Sequence, residues 1–285
     1  SDPKPSRKTI EIPGFSIAAL EWGDPDGLPV LGVHGWLDNA ATFARLAPEL
    51  GEELRLVSID FPGHGRSSHR APGASYYFAD LVPVIFDVAD ALGWTEFCIL
   101  GHSMGAAAGY LSAGTKPDRI RRLVALDSLG PWTTPPDEAP EQLESGLTER
   151  STLQNKSKRT FDSPADALSV ICELYALQPD HARAMVDRGL EQRPDGAWQF
   201  SYDLLLRGAS LVRFTESQIV AFLERITAPT LLLRPEDGWP CDEAWLERRM
   251  ASVPRLEFER VPGGHHSHLQ HPNPIGELVD AFLTS

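Results

Sequence analysis

Five residues carry the plainest chemistry in this chain: Gly101-His102-Ser103-Met104-Gly105. A serine hydroxyl is a weak nucleophile until a base takes its proton. Glycine, any residue, serine, any residue, glycine is the spacing that holds a serine on a sharp strand-to-helix turn. The flanks agree with that context. Phe97 to Leu100 is a short apolar run that reads as a strand, and Ala106 to Leu111 is small and helix-compatible. Small residues at 101 and 105 let neighbouring elements pass close to a strained backbone. The helix N-terminus behind Ser103 offers partial positive charge to a developing oxyanion.

Two other stretches supply what a serine needs. Pro29 to Val33 is an almost wholly apolar run that ends in His34-Gly35-Trp36-Leu37-Asp38. The glycine lets this loop bend so that the N–H of Trp36, with the N–H of Met104, can hold a carbonyl oxygen as it gains charge. His34 is expected to brace the loop. Near the C-terminus, Leu256 to Val261 reads as the last strand, followed by Pro262-Gly263-Gly264-His265-His266-Ser267-His268. A base on this loop completes the chain order of nucleophile, acid and histidine; His265 and His266 are the candidates. His265, His268 and His271 are also spaced like metal ligands. No carboxylate or cysteine cluster stands beside them, so no metal or other cofactor is expected. The base needs a carboxylate to fix its tautomer. Asp127, at the end of the run Arg122 to Leu126, and Asp237, after Thr230 to Leu233, can each supply it.

The elements that must position these groups follow from periodicity. Thr9 to Ile12 and Phe15 to Trp22 form an edge hairpin around Pro13-Gly14. The short apolar runs Pro29–Val33, Leu54–Ile59, Phe97–Leu100, Arg122–Leu126 and Thr230–Leu233 read as strands buried on both faces. Helical segments at Asn39–Leu50, at Tyr76–Leu92 with a kink or boundary at Pro83, at Asp242–Met250 and at Ile275–Leu283 separate them, which predicts a mostly parallel twisted sheet flanked by helices. The loop Asp60 to Ser67 is glycine-rich but lacks a phosphate-binding pattern; Asp60, His64 and Ser67 are expected to brace it. From Pro131 to about 225 the character changes. Ser163-Pro164-Ala165-Asp166 is a helix start, Thr215-x-x-Gln218 is a capping box, and no buried strand is expected there. Asp166–Leu177, Asp180–Gln192 and Trp198–Arg207 read as helical. Trp132, Phe161, Tyr175, Trp198, Phe200 and Phe214 are its candidates for an inner apolar face, or for its own small core.

Composition narrows the function classes. The 285 residues carry a formal net charge of -14, which argues against nucleic acid or anionic membrane surfaces as partners. No apolar run is long enough to span a membrane. Cys98, Cys172 and Cys241 are widely spaced and odd in number, which fits a reducing cytoplasm. Ser1 to Lys8 is polar and lacks the apolar core of a signal peptide. The expected partner is a small-molecule substrate; the sequence does not give an oligomeric state.

The sequence resembles the α/β-hydrolase fold family. The resemblance rests on His34-Gly35, Asp60 through Ser67 and Gly101-His102-Ser103-Met104-Gly105, and covers almost the whole chain. Val33 through Asn39 and Gly263-Gly264-His265-His266 make it similar to the serine hydrolase-like branch. The resemblance implies a core of residues 1–130 and 226–285 with a helical cap, 131–225, inserted after the strand that follows the serine. It places His265 at the base position, through the trailing His268-Leu269. Asp237 stands at the more usual place for the acid, but Arg234-Pro235 replaces a customary glycine there; the branch favours Asp127. Carboxylic ester hydrolysis through Ser103, His265 and one of the two aspartates is the expected activity. C–C bond, lactone or thioester hydrolysis and non-catalytic binding on the same scaffold are the alternatives.

Overall fold

The computed structural model describes residues 4–285. An eight-stranded sheet organises it. Its strands are β1 (Ser6–Ile12), β2 (Phe15–Gly23), β3 (Leu28–Val33), β4 (Leu54–Ile59), β5 (Phe97–His102), β6 (Ile120–Leu126), β10 (Thr230–Asp237) and β11 (Leu256–Gly264), in the spatial order β1-β2-β4-β3-β5-β6-β10-β11. The first two strands pair antiparallel and β2 meets β4 antiparallel; every later pairing is parallel. Alternation within β5 shows why the central strands are apolar throughout. Phe97 and Ile99 pack into the core on one face, while Cys98 and Leu100 pack into the core on the other. Helices α1 (Leu81–Ala91), α2 (Met104–Thr115) and α7 (Glu243–Ala251) cover the first face, through residues such as Ile85, Ala108 and Leu246. Helix α9 (Pro272–Thr284) covers the other, through Ile275, Val279 and Phe282. No helix among the described residues is long and apolar enough to cross a membrane.

Between β6 and β10 the chain inserts α3 (Ala139–Gln154), α4 (Pro164–Tyr175), α5 (Pro179–Gly189) and α6 (Glu216–Leu223). Ser163 and Thr215 cap α4 and α6 as their sequences predict. The insertion is not wholly helical. Strands β7 (Thr160–Phe161), β8 (Leu190–Gln192) and β9 (Trp198–Phe200) form a small antiparallel sheet in the order β7-β9-β8. The expected helix over Trp198–Arg207 is therefore β9 followed by a single 3-10 turn, Leu204–Arg207. The cause is the turn Arg193-Pro194-Asp195-Gly196, where Gly196 takes φ +89° and the Arg193 N–H reaches the Ala197 carbonyl at 2.8 Å, closing a hairpin. Two smaller expectations also change. Asn39–Leu50 holds two 3-10 turns rather than a helix, and the helix expected over Tyr76–Leu92 begins only at Leu81. Pro83 therefore sits in the first turn, where its missing N–H costs nothing. The short α8 (Ser267–Gln270) follows β11.

Two buried arginines fasten the insertion to the sheet. Arg188 of α5 pairs with Asp60, which also accepts the backbone N–H groups of Ala40 and Arg66. Arg249 of α7 is wholly buried; it donates to the carbonyls of Leu129 and Pro131, where the insertion leaves β6, and pairs with Glu216 of α6.

Candidate active site

Ser103 stands at the end of β5 as the N-cap of α2, with φ 51° and ψ -116°. That conformation is costly for a residue with a side chain, and it is held because nothing else fits. A Cβ on Gly105 would lie 2.2 Å from the Val33 carbonyl oxygen, so α2 can start only with glycine there. The Ser103 N–H donates to the Leu126 carbonyl at 2.9 Å, which ties the turn to the end of β6.

The imidazole of His265 lies against this serine. Its Nε2 is 3.0 Å from Ser103 Oγ, and its Nδ1 is 2.6 Å from Asp127 Oδ2. Asp127 itself adopts φ 53° just past β6, and its carboxylate is fully buried. It also accepts the Trp239 N–H at 2.8 Å and pairs with Arg234 at 3.4 Å. Arg234 is adjacent because β10 runs parallel to β6 with Leu233 opposite Leu126. Asp237, the other carboxylate expected to reach the histidine, is exposed at the end of β10. It makes no side-chain hydrogen bond among the described residues. The reason is register: the strand end that arrives at His265 Nδ1 is that of β6, while β10 shifts register against β11 between Pro235 and Asp237, and Asp237 pairs with Gly264.

Trp36 and Met104, the residues expected to hold the oxyanion, both line the cavity around the serine. A Cβ on Gly35 would lie 3.2 Å from the Ser103 Cβ, so the Gly35-Trp36 backbone passes directly beside it. Among the described residues neither the Trp36 N–H nor the Met104 N–H donates to a protein acceptor, and both residues line the cavity that holds Ser103. A hydroxyl, an imidazole and a carboxylate in hydrogen-bonded line, with two backbone N–H groups unengaged nearby, form an arrangement that can do acyl-transfer chemistry.

Beneath it lies a second histidine network that the sequence did not reveal. The ring of His102 donates from Nε2 to the His265 carbonyl at 2.8 Å, and its Nδ1 faces Asp38 Oδ2 at 3.4 Å. His266 meets the same Asp38 oxygen at 3.0 Å, and His268 meets Thr42 at 2.9 Å. His266, the alternative base, is thus turned away from Ser103. Burial works to raise the Asp38 carboxyl, but His266, by its field and its hydrogen bond, and the facing His102 outweigh it and hold it well below the usual range. Burial drives His268 well below the ordinary histidine value. The ligand-like spacing of His265, His268 and His271 does not become a site, because both ring nitrogens of His265 are engaged by Ser103 and Asp127. His34 and His64 brace the neighbouring loops. His34 donates to the Gly35 carbonyl and accepts the Phe61 N–H. Burial lowers His34 to about 4 and His64 to about 3.

The cavity has a volume of about 1710 Å³. Phe161, Tyr175, Phe200 and Phe214 of the insertion line it, with Trp132 and Trp239 at its edge. Trp198 does not line it; that ring packs within the small core of the insertion, around Phe161, Leu168 and Val186.

The fold and the site define the class. Residues 29–272 match the family described as alpha/beta hydrolase fold, and the chain belongs to that family. Within it the similarity runs to serine hydrolase-like proteins. One from Dictyostelium discoideum is 29% identical over 95% of this chain and 79% of its own length. Another, from Danio rerio, is 29% identical over 96% and 87%. Among solved structures, a hypothetical protein from Pseudomonas aeruginosa PAO1 shares 37% identity over 99% of this chain and all of its own, with a TM-score of 0.90.

Proposed function

We propose that this hydrolase cleaves carboxylic esters through an acyl-enzyme on Ser103. His265 takes the serine proton as the oxygen attacks the carbonyl carbon, and returns it to the departing alcohol. Asp127 holds the His265 tautomer and stabilises the imidazolium. The N–H groups of Trp36 and Met104 hold the oxyanion. Water activated by the same histidine then releases the acid. The observation that carries this reading is the unbroken line of contacts from Ser103 Oγ to His265 Nε2, 3.0 Å, and from His265 Nδ1 to Asp127, 2.6 Å. Residues 131–225 act as a cap that shapes the substrate cavity and limits water. The same machinery would serve thioesters, lactones or activated C–C bonds; the aromatic side chains in the lining, Phe161, Tyr175, Phe200 and Phe214 among them, support an acyl chain in the cavity. The free cysteines Cys98, Cys172 and Cys241 support a cytoplasmic setting.

Labelling with a fluorophosphonate tests the reading. The native chain should be modified at Ser103 and should turn over p-nitrophenyl butyrate, and Ser103→Ala should lose both. A native chain that stays unlabelled while folded would refute it.

A further inference from the structure

The cavity reverses the charge of the molecule. The chain carries 40 acidic and 26 basic residues, yet Arg159, Arg207 and Arg213, all reaching solvent, line the cavity, and none has a carboxylate or hydrogen-bond partner among the described residues; Arg159 lies over the Phe161 ring at 5.1 Å. The carboxylates lining the same cavity are mostly engaged: Asp38 by His266, Asp80 by Arg70, and Asp127 by His265 and Arg234. Glu173 is the exception. Unpaired guanidinium groups around a partly enclosed, aromatic-walled space raise the local concentration of anions and strengthen their hydrogen bonds.

Arg207 is the best held of the three. It ends the 3-10 turn Leu204–Arg207, which is fastened to the core at several points. The Trp36 indole N–H donates to the Leu206 carbonyl at 2.7 Å, so the loop proposed to bind the oxyanion also carries this turn. The Asp203 N–H donates to the Gly63 carbonyl at 2.8 Å, and the Tyr76 hydroxyl donates to Asp203 at 2.9 Å. Arg207 and Tyr175 line the same cavity, and the Tyr175 ring packs on His266 with centroids 4.6 Å apart. The turn is held by the core, and from it the solvent-exposed Arg207 guanidinium lines the cavity of Ser103 without a protein counter-ion, free to take an anionic ligand. We propose that Arg207, assisted by Arg159 and Arg213, binds a terminal carboxylate on the acyl chain of the substrate, so that the preferred substrates are monoesters of dicarboxylic acids. This inference rests on the ester-hydrolase reading of Ser103.

The test compares p-nitrophenyl monoesters of adipic, suberic and sebacic acid with the same compounds methylated at the far carboxylate. The readout is the ratio of kcat/KM for acid over methyl ester. In the native chain this ratio should exceed unity for at least one chain length. Arg207→Gln should lower it about tenfold, the usual weight of a charge-assisted hydrogen bond, and Arg207→Lys should restore part of it. A ratio that Arg207→Gln leaves unchanged across the series overturns the subsite, while turnover itself still supports Ser103. If the native chain turns over neither ester, the Ser103 reading has failed, and the subsite is judged by calorimetric binding of suberate alone. Binding that Arg207→Gln weakens about tenfold sustains it; equal binding, or none to the native chain, overturns it.

Discussion

Replacing Asp127 with asparagine isolates the part of the proposed mechanism that depends most on geometry. The carboxylate accepts from His265 Nδ1 at 2.6 Å and from the Trp239 N–H at 2.8 Å, and its side chain is fully buried. An asparagine fits the same space; with its oxygen on the Oδ1 side, facing Arg234, its amide nitrogen takes the place of Oδ2, the atom that both His265 Nδ1 and the Trp239 N–H meet, so the Trp239 bond is lost. Its amide then turns toward His265 Nδ1, which must become the acceptor. The ring proton moves to Nε2, the atom 3.0 Å from Ser103 Oγ, so the base holds a proton where it has to receive one. The loss expected for such a tautomer reversal is about 10⁴ in kcat, or ~5.5 kcal/mol in the barrier. The cost in folding should be far smaller, on the order of 1–3 kcal/mol, because the Trp239 N–H loses its acceptor and Arg234 its counter-charge. Turnover of p-nitrophenyl butyrate and the rate of fluorophosphonate labelling should fall together, with the urea midpoint close to native. Asp237→Asn is the matched control, and an exposed change there should stay within about twofold. If Asp237→Asn collapses activity while Asp127→Asn keeps it, the assignment of the acid is wrong.

Two further outcomes follow from buried charge. His34 and His64 are kept neutral by burial down to about 4 and about 3, against an ordinary value of 6.5; the unfolded chain protonates both below 6.5, so stability is complete above that pH and drains as the pH falls toward the folded values. For His34 alone this amounts to ~3 kcal/mol. Asp38 titrates below the usual carboxylate range and stays outside this window, so urea midpoints should fall from pH 6.5 to 4.5, and a flat profile would count against buried neutral imidazoles. Arg249→Met removes the donors to Leu129, Pro131 and Glu216 at once. With the Glu216 carboxylate 41% exposed, the loss comes mainly from the two carbonyls left without donors; it should be about 2–3 kcal/mol in denaturant unfolding, and a loss below about 1 kcal/mol would show that Arg249 holds little.

Much of the route to the site was legible because it is local. The apolar strand, the pentapeptide at Gly101–Gly105 and the small residues of α2 specify a turn through backbone sterics that neighbours in sequence impose on each other. The His34-Gly35 loop and the glycine pair before His265 were readable for the same reason. The insertion was less so: Trp198-Gln199-Phe200 has the alternation of a strand, but so short a run becomes one only with the partners Thr160–Phe161 and Leu190–Gln192 alongside. Arg188 and Arg249 resemble surface residues in sequence, since only their buried partners distinguish them.

The sequence by itself therefore determined the serine, its turn, the histidine-bearing loop and the parallel sheet that brings strand ends together. Tertiary structure decided which carboxylate meets His265. Asp127 and Asp237 both end strands, and nothing in either local sequence says which will come within 2.6 Å of an imidazole nitrogen. That depends on the register of β6 against β10, on the left-handed backbone at Asp127, and on Arg234 arriving as its counter-charge. The same is true of Arg207. A lone arginine in a sequence carries no message, and its meaning comes from the turn that holds it and from the carboxylates that the fold places elsewhere.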